Sequence, residues 1–294
     1  MLPVVASVSG GKDSTAMCLH LKEQEIEYSA VFMDTGWETQ LVYDYIENHL
    51  PGIIGNITTI RAKIDLPDDL ENIAVYFEDK IGRYSAMVRR VLLYSTFPSR
   101  RARWCTDELK MKPMRSHIDA ISSDVLNAVG VRAQESSARS KLPEYEYSQK
   151  LGCDVWRPIL QWSLQDVIDI HHRHGAAPCS QYFNGASRVG CHPCVFARKA
   201  ELRMMAEQDP SRVELLRELE RVVNDLKAKK NKPSAAWFMA RTGRTGDFWP
   251  IDRVIDWAMT ARNRPAQYEL FNTPAADTGC VRWGMCDMST NGGN

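Results

Sequence analysis

Ser9-Gly10-Gly11-Lys12-Asp13-Ser14 is the stretch of this chain best equipped for chemistry on a phosphate. It follows an apolar, β-branched run at residues 3–9 and opens a helical pattern at 13–21. Paired glycines allow a sharp turn and a close approach of backbone to ligand. The N–H groups that begin the helix then point at phosphate oxygens. Ser7, Ser9 and Ser14 add hydroxyls, and Lys12 adds a point charge. The spacing is not that of a Walker A loop. Gly-Gly alone would be an ordinary turn; the full run indicates a nucleotide site.

Three other clusters carry reactive groups. Asp34-Thr35-Gly36-Trp37-Glu38 follows the strand-like run 28–33, at the strand end where open α/β sheets bind ligands. Gly130 to Arg139 follows the run 125–131; Arg132 and Arg139 can grip an anion bidentately, with Glu135 holding one of them. Cys191-His192-Pro193-Cys194 is a redox pair, a zinc half-site or half of a cluster site. Arg188 and Arg198 flank it and favour thiolates. Cys105 stands upstream, and Cys280 and Cys286 lie in the polar tail 272–294. Cys18, Cys153 and Cys179 read as structural. His192 reads as solvated or as a neighbour supporting the cysteine ligands, and His171, His172 and His174 as cationic residues at a helix C-terminus. The tryptophans read as core. Arg100-Arg101-Ala102-Arg103-Trp104 and the lysine-rich run 227–232 are solvated surface or contacts for a nucleic-acid backbone.

The elements that must position these groups alternate. Strands are predicted at 3–9, 28–33, Ile57–Arg61, 125–131 and 155–159. Helices are predicted at 13–21, 40–50, 66–77, Ala86–Tyr94 and 109–121, with Pro113 in a first turn or at a kink. A further helix is capped by Ser163 and ends near Gly175. This is an α/β chain with a doubly wound, mainly parallel five- or six-stranded sheet. Charged helices at 197–208 and 212–229, and another at 251–262, form a helical C-terminal extension. The division is 1–200 for the nucleotide-binding domain and 201–294 for the extension and tail. With 37 basic and 37 acidic residues, no global field draws the chain to polyanions. There is no apolar run of about 18 residues and no basic leader before the first strand, so a cytoplasmic, non-membrane protein is expected. Eight cysteines in that reducing setting favour metal or catalysis over disulfides.

The run S-G-G-K-D-S resembles the PP-loop of the ATP pyrophosphatase (adenine nucleotide alpha-hydrolase) superfamily. Asp34-Thr35-Gly36 with Glu38, the Gly130–Arg139 pattern and Cys105 to Pro113 resemble the PAPS reductase-like family, Lys110 falling where that family is basic. The intact loop, Trp104-Cys105-Thr106 and Gly190-Cys191-x-x-Cys194 together are most similar to the DNA phosphorothioation sulfurtransferase type. The resemblance implies a Rossmann-like sheet and cleavage of ATP between its α- and β-phosphates. It implies catalytic roles for Lys12, Asp13, Arg132 and Arg139, with Asp13 on Mg²⁺. Nucleotide contacts would come from Ser7, Ser9, Gly10, Gly11, Lys12, Ser14, Asp34, Thr35, Gly130, Arg132 and Glu135. A [4Fe–4S] cluster would take Cys105, Cys191 and Cys194, with zinc as the alternative metal. Adenylylsulfate reductases carry Cys-Cys where this chain has Trp104-Cys105, so the fourth ligand must come from elsewhere: Cys286, or else Cys280. The implied partners are a sulfur donor such as a cysteine desulfurase and a nucleic-acid acceptor. Two alternatives stand beside this sulfurtransferase. One is a reductase of adenylylsulfate or PAPS, against which the intact loop and the lack of a Glu-Cys-Gly tail argue. The other is a non-catalytic nucleotide- and metal-binding regulator.

Overall fold

The computed structural model describes residues 2–122, 124–242 and 245–260; Cys280 and Cys286 lie outside them. The chain divides into two compact units. The first is Met1–Ala62, Thr106–Asn184 and Arg188–Cys191; the second is Lys63–Cys105, Gly185–Ser187 and His192–Asn294. The division is discontinuous in sequence rather than a single cut at one residue.

Along the chain run β1 (Val4–Val8), α1 (Lys12–Glu23), β2 (Ser29–Asp34), α2 (Gln40–Asp44), α3 (Leu50–Ile54) and β3 (Ile57–Arg61). Then come α4 (Asp68–Ile81), α5 (Ala86–Tyr94), the short α6 (Trp104–Thr106), α7 (Lys112–Ile121) and β4 (Leu126–Val129). β5 (Tyr145–Ser148), β6 (Cys153–Trp156), α8 (Leu164–Arg173), α9 (Lys199–Gln208), α10 (Pro210–Lys229), β7 (Phe238–Thr242), β8 (Thr245–Trp249) and α11 (Ile251–Met259) complete it.

The first unit holds a six-stranded sheet of order β3-β2-β1-β4-β6-β5. All neighbours are parallel except the β5–β6 pair. The expected doubly wound, mainly parallel sheet is therefore present. Its carboxyl ends are in step, with Val8 opposite Phe32 and Ser7 opposite Val129. α1 packs Met17, Cys18 and Leu21 into the core with Ala6, Val8 and Phe32. Ala16 and Leu19, also on α1, meet Val167 and Ile170 of α8. Each of the larger side chains among these, such as Met17, Leu19 and Leu21, contributes about 1.5–3 kcal/mol when fully buried, which anchors α1 against its neighbours.

Some elements depart from the sequence pattern. The helix expected at 40–50 continues to Ile54, through a π turn at Tyr45–His49. Pro51 is tolerated because it sits in the first turn of α3. Pro113 likewise opens α7 after a π turn at Asp107–Met111. β5 was not expected: Tyr145, Glu146 and Tyr147 are all exposed, so this edge strand has no buried apolar face to betray it.

The second unit contains α4, α5, α9, α10, α11 and the β7–β8 hairpin. Buried Arg89 on α5 binds Glu71 and Glu78 of α4, each at 2.7 Å. Buried Glu220 of α10 accepts the N–H groups of Trp237 and Ile251, both at 2.9 Å. Burial pushes its pKa up despite those donors. Trp237 is core, as expected, whereas Trp257 is 41% exposed on the amphipathic α11. No helix among the described residues is long and apolar enough to cross a membrane.

Candidate nucleotide-binding site

β1 delivers Ser9, and Gly10 then takes φ of +72°, which an L side chain resists. A Cβ there would also come within 3.2 Å of Ile46. Ser14 closes the turn: its hydroxyl donates to the Gly11 carbonyl at 2.9 Å and accepts the Ser9 N–H at 3.3 Å. The Ser9 and Ser14 hydroxyls lie 3.4 Å apart. Ser7 donates to Asn127 Oδ1 at 2.9 Å and so ties β1 to β4.

Tyr182, which the sequence did not single out, and His171 pin the backbone of Lys12. Its N–H donates to the buried Tyr182 hydroxyl at 3.2 Å, and its ammonium stands 5.1 Å from the Tyr182 ring centroid. Its carbonyl lies 2.9 Å from Nε2 of His171, whose Nδ1 is 2.8 Å from the Ala176 carbonyl. His171 is thus a buried clamp under the loop rather than a solvated helix-end cation. Burial holds its pKa below the usual value, while the two carbonyls pull the other way. His174 does lie at the surface, its Nε2 2.9 Å from Glu23 Oε1.

Asp13 joins the loop to the segment after β4. Its Oδ1 accepts from Arg132 Nε at 2.5 Å, and its Oδ2 lies 3.3 Å from the Lys12 ammonium. Arg132 is buried; its N–H donates to Glu135 Oε2 at 3.0 Å, and its guanidinium reaches Gln134 Oε1 at 3.3 Å. Glu135 in turn pairs with Arg139, whose side chain is 43% exposed. Gly130 makes this junction close: a Cβ there would stand 2.7 Å from the Asp13 carbonyl oxygen and from Ser14 Cα. Loop, Lys12, Asp13, Gly130 and Arg132 therefore form one assembly, with Glu135 and Arg139 at its margin. Two cations share one carboxylate, which leaves a net positive charge beside the first turn of α1 and suits an anion. For Mg²⁺, Asp13 supplies the right donor chemistry, although both its oxygens already face cations.

Asp34 and Thr35 form a separate buried network. The Tyr43 hydroxyl stands 2.8 Å from Asp34 Oδ1 and 2.9 Å from Glu38 Oε2, bridging two carboxylates. Thr35 donates to Glu38 at 2.9 Å, the Gly36 N–H to Asp34 at 2.8 Å, and Arg61 meets Asp34 at 3.1 Å. Glu38 belonged to the recognised Asp-Thr-Gly stretch, whereas Tyr43 carried no signal of its own. Tyr43→Phe removes the hydroxyl that both buried carboxyl groups contact and is expected to destabilise the fold by about 1–3 kcal/mol. Urea unfolding of the variant against the parent chain measures this.

Cys191, in the first unit, lies 3.7 Å from Glu38 Oε1 and 3.9 Å from Thr35 Oγ1. Cys105 and Cys194, in the second unit, are half-buried. Cys18, Cys153 and Cys179 are buried, and burial pushes all three thiols up, Cys18 to about 12. His192 is not solvated: it is 8% exposed, stands 3.6 Å from Asp209, and is held down to about 4 by burial and Arg212. Half-buried thiols have the donor chemistry of an iron–sulfur or zinc centre. The described residues do not by themselves assemble one: no group of three or more His, Cys, Asp or Glu among them is placed to hold a metal ion. Cys280 and Cys286 lie outside the described residues.

Residues 3–197 match the family model of the phosphoadenosine phosphosulfate reductase domain. The chain is 31% identical to an uncharacterized 37.8 kDa protein of Escherichia phage 186, over 96% of each chain. It is 25% identical to an adenosine 5'-phosphosulfate reductase of Allochromatium vinosum, over 66% of this chain and 68% of that one. A solved phosphoadenylyl-sulfate reductase from Candida auris, in a phosphate complex, is similar at a TM-score of 0.45. It is 14% identical and covers 66% of this chain and 83% of its own.

Proposed function

The chain belongs to the phosphoadenosine phosphosulfate reductase domain family, and from that premise we propose that it is an ATP pyrophosphatase that adenylates an acceptor and supports sulfur transfer. The observation that carries this is the intact Ser9–Ser14 turn with Lys12, Asp13 and Arg132 locked beside it. Loop amides would hold the polyphosphate of ATP. An acceptor oxygen attacks the α-phosphorus, the bond to the β-phosphate oxygen breaks, and pyrophosphate leaves. Lys12, Arg132 and Arg139 would neutralise the charge that develops on the phosphates. Asp13 would hold Mg²⁺ together with phosphate oxygens; the bound ion would screen the departing pyrophosphate. Asp34 and Thr35 would shape the adenosine end. The test is conversion of ATP to AMP and pyrophosphate by the purified chain with magnesium; its absence sinks the proposal and favours a non-catalytic nucleotide-binding regulator.

A [4Fe–4S] cluster on Cys105, Cys191, Cys194 and Cys286 is part of the same proposal, with Cys280 as the alternative ligand and zinc as the alternative metal. The support is the thiol pattern and the half-buried state of the three described cysteines. Such a group would supply sulfur-binding iron, and a cysteine desulfurase is the kind of donor that would feed it. The reducing cytoplasm is the compartment in which these thiolates would persist. Anaerobic purification should give a coloured protein with iron and acid-labile sulfide in about equal amounts; a colourless, zinc-loaded protein rules the cluster out.

A second reading is a reductase of adenylylsulfate or PAPS, favoured by the similarity to the Allochromatium enzyme. Thioredoxin-dependent release of sulfite from either nucleotide would establish it in place of the first.

A further inference from the structure

In the second unit, the two basic runs of the sequence converge on the end of α5. Lys230, from the lysine-rich run after α10, donates to the Ser95 hydroxyl at 3.1 Å. The preceding residue, Tyr94, is 42% exposed. The Arg90 guanidinium lies 5.0 Å from the Tyr94 ring centroid, and Trp104 meets that ring edge-on at 5.9 Å. Trp104 follows the second basic run directly. A turn holds that run: the Ser99 N–H donates to the Ala102 carbonyl, and the Ala102 N–H to the Ser99 hydroxyl, both at 3.0 Å. Arg100 and Arg103 then place their guanidiniums 5.7 and 5.8 Å from the ring of Phe196, which is 38% exposed. Arg100 also donates to the Val195 carbonyl at 3.2 Å.

The charge here is segregated. Arg100, Arg101, Arg103, Lys229, Lys230 and Lys232 are all exposed, in a chain whose formal net charge is zero. Among the described residues, Arg100 and Arg103 face an aromatic ring and a backbone carbonyl rather than a carboxylate. Exposed rings interleaved with guanidiniums suit a strand whose phosphates meet the cations and whose bases stack on the rings. A duplex would hide its base faces, and a lipid surface would offer no flat partner for the rings.

We infer that this surface binds single-stranded nucleic acid, with Phe196 and Tyr94 stacking bases and Arg100, Arg103 and the lysines holding phosphates. The inference deepens the sulfurtransferase reading by giving its nucleic-acid acceptor a single-stranded form and a surface on this chain, and it rests on that reading for its place in the reaction; the binding itself does not require it.

The test is fluorescence anisotropy of a short labelled single-stranded oligonucleotide with the full chain, between 50 and 200 mM salt. Affinity should fall linearly in log–log form with salt. Arg100→Ala with Arg103→Ala should lower that slope by about 1.4, at roughly 0.7 per phosphate contact. Phe196→Ala should weaken binding about 5- to 150-fold with the slope unchanged. Circular dichroism confirms that the variants fold, and Arg101→Ala serves as a second probe if the double variant does not. Three results each overturn the inference: no binding at 50 mM salt, variants that bind like the parent, or tighter binding to a duplex or to phosphatidylserine vesicles. The same preparations are assayed for AMP and pyrophosphate. ATP cleavage without oligonucleotide binding defeats this inference alone, and oligonucleotide binding without ATP cleavage defeats the pyrophosphatase reading alone.

Discussion

Asp13→Asn and Lys12→Ala are each expected to lower conversion of ATP to AMP and pyrophosphate about 100- to 1,000-fold, the loss typical of removing one preorganised group that meets developing charge. Asparagine keeps the shape of Asp13 and one carbonyl oxygen for Arg132 Nε, now 2.5 Å away. It removes the negative charge that Mg²⁺ needs. It also leaves buried Arg132 with less compensation, so a stability loss of about 1–3 kcal/mol should accompany it. Lys12→Ala separates the two effects. The tethers of Lys12 to Tyr182 and His171 use its main-chain N–H and carbonyl. The alanine variant therefore keeps them, and its melting temperature should stay close to that of the parent while turnover collapses. Steady-state assays with thermal melts read both quantities. Parent-like turnover in either variant at saturating ATP would remove the loop from the chemistry.

The strand–turn–helix at the N-terminus was legible because its determinants are local: β-branched residues, two glycines and a helical apolar face within 21 positions. The parallel sheet followed from alternation, and residue types marked Lys12 and Arg132, while Asp13 was marked by the resemblance to the PP-loop. What holds them was not legible. Tyr182 and His171 reach Lys12 from 170 and 159 residues away, and no local pattern encodes such a contact. His192 looked solvated beside its cysteines, because the groups it meets, Asp209 and Arg212 at the start of α10, are distant in sequence. The two basic runs were visible singly, yet Ser95, which brings Lys230 to the end of α5, carries no signal of its own. Tertiary proximity of polar groups is the information that periodicity omits.

Gly130→Ala adds one methyl group and is expected to be among the most damaging small substitutions in the chain. The new Cβ would lie 2.7 Å from the Asp13 carbonyl oxygen and Ser14 Cα, and 2.8 Å from the Asp13 carbonyl carbon. All three are backbone atoms, so no rotamer change relieves the clash. Either the end of β4 withdraws or the first turn of α1 moves. Both motions act on the Arg132–Asp13 pair, because Arg132 follows Gly130 by two residues and Asp13 is itself the obstacle. Overpacking of this kind costs about 1–3 kcal/mol, which lowers the melting temperature of a chain this size by roughly 2–4 °C per kcal/mol. The functional loss should be larger than the stability loss suggests. A displacement of about 1 Å at a positioned group costs roughly a hundredfold in rate, and the first-turn amides of α1 move with Asp13. Gly52→Ala is the matched control. Gly52 lies in α3 with nothing within 4 Å of its added Cβ. Helix propensity alone makes that variant neutral or more stable by up to about 1 kcal/mol, with unchanged turnover. Should Gly130→Ala match Gly52→Ala in both melt and turnover, close backbone contact at this junction would not be what fixes Asp13.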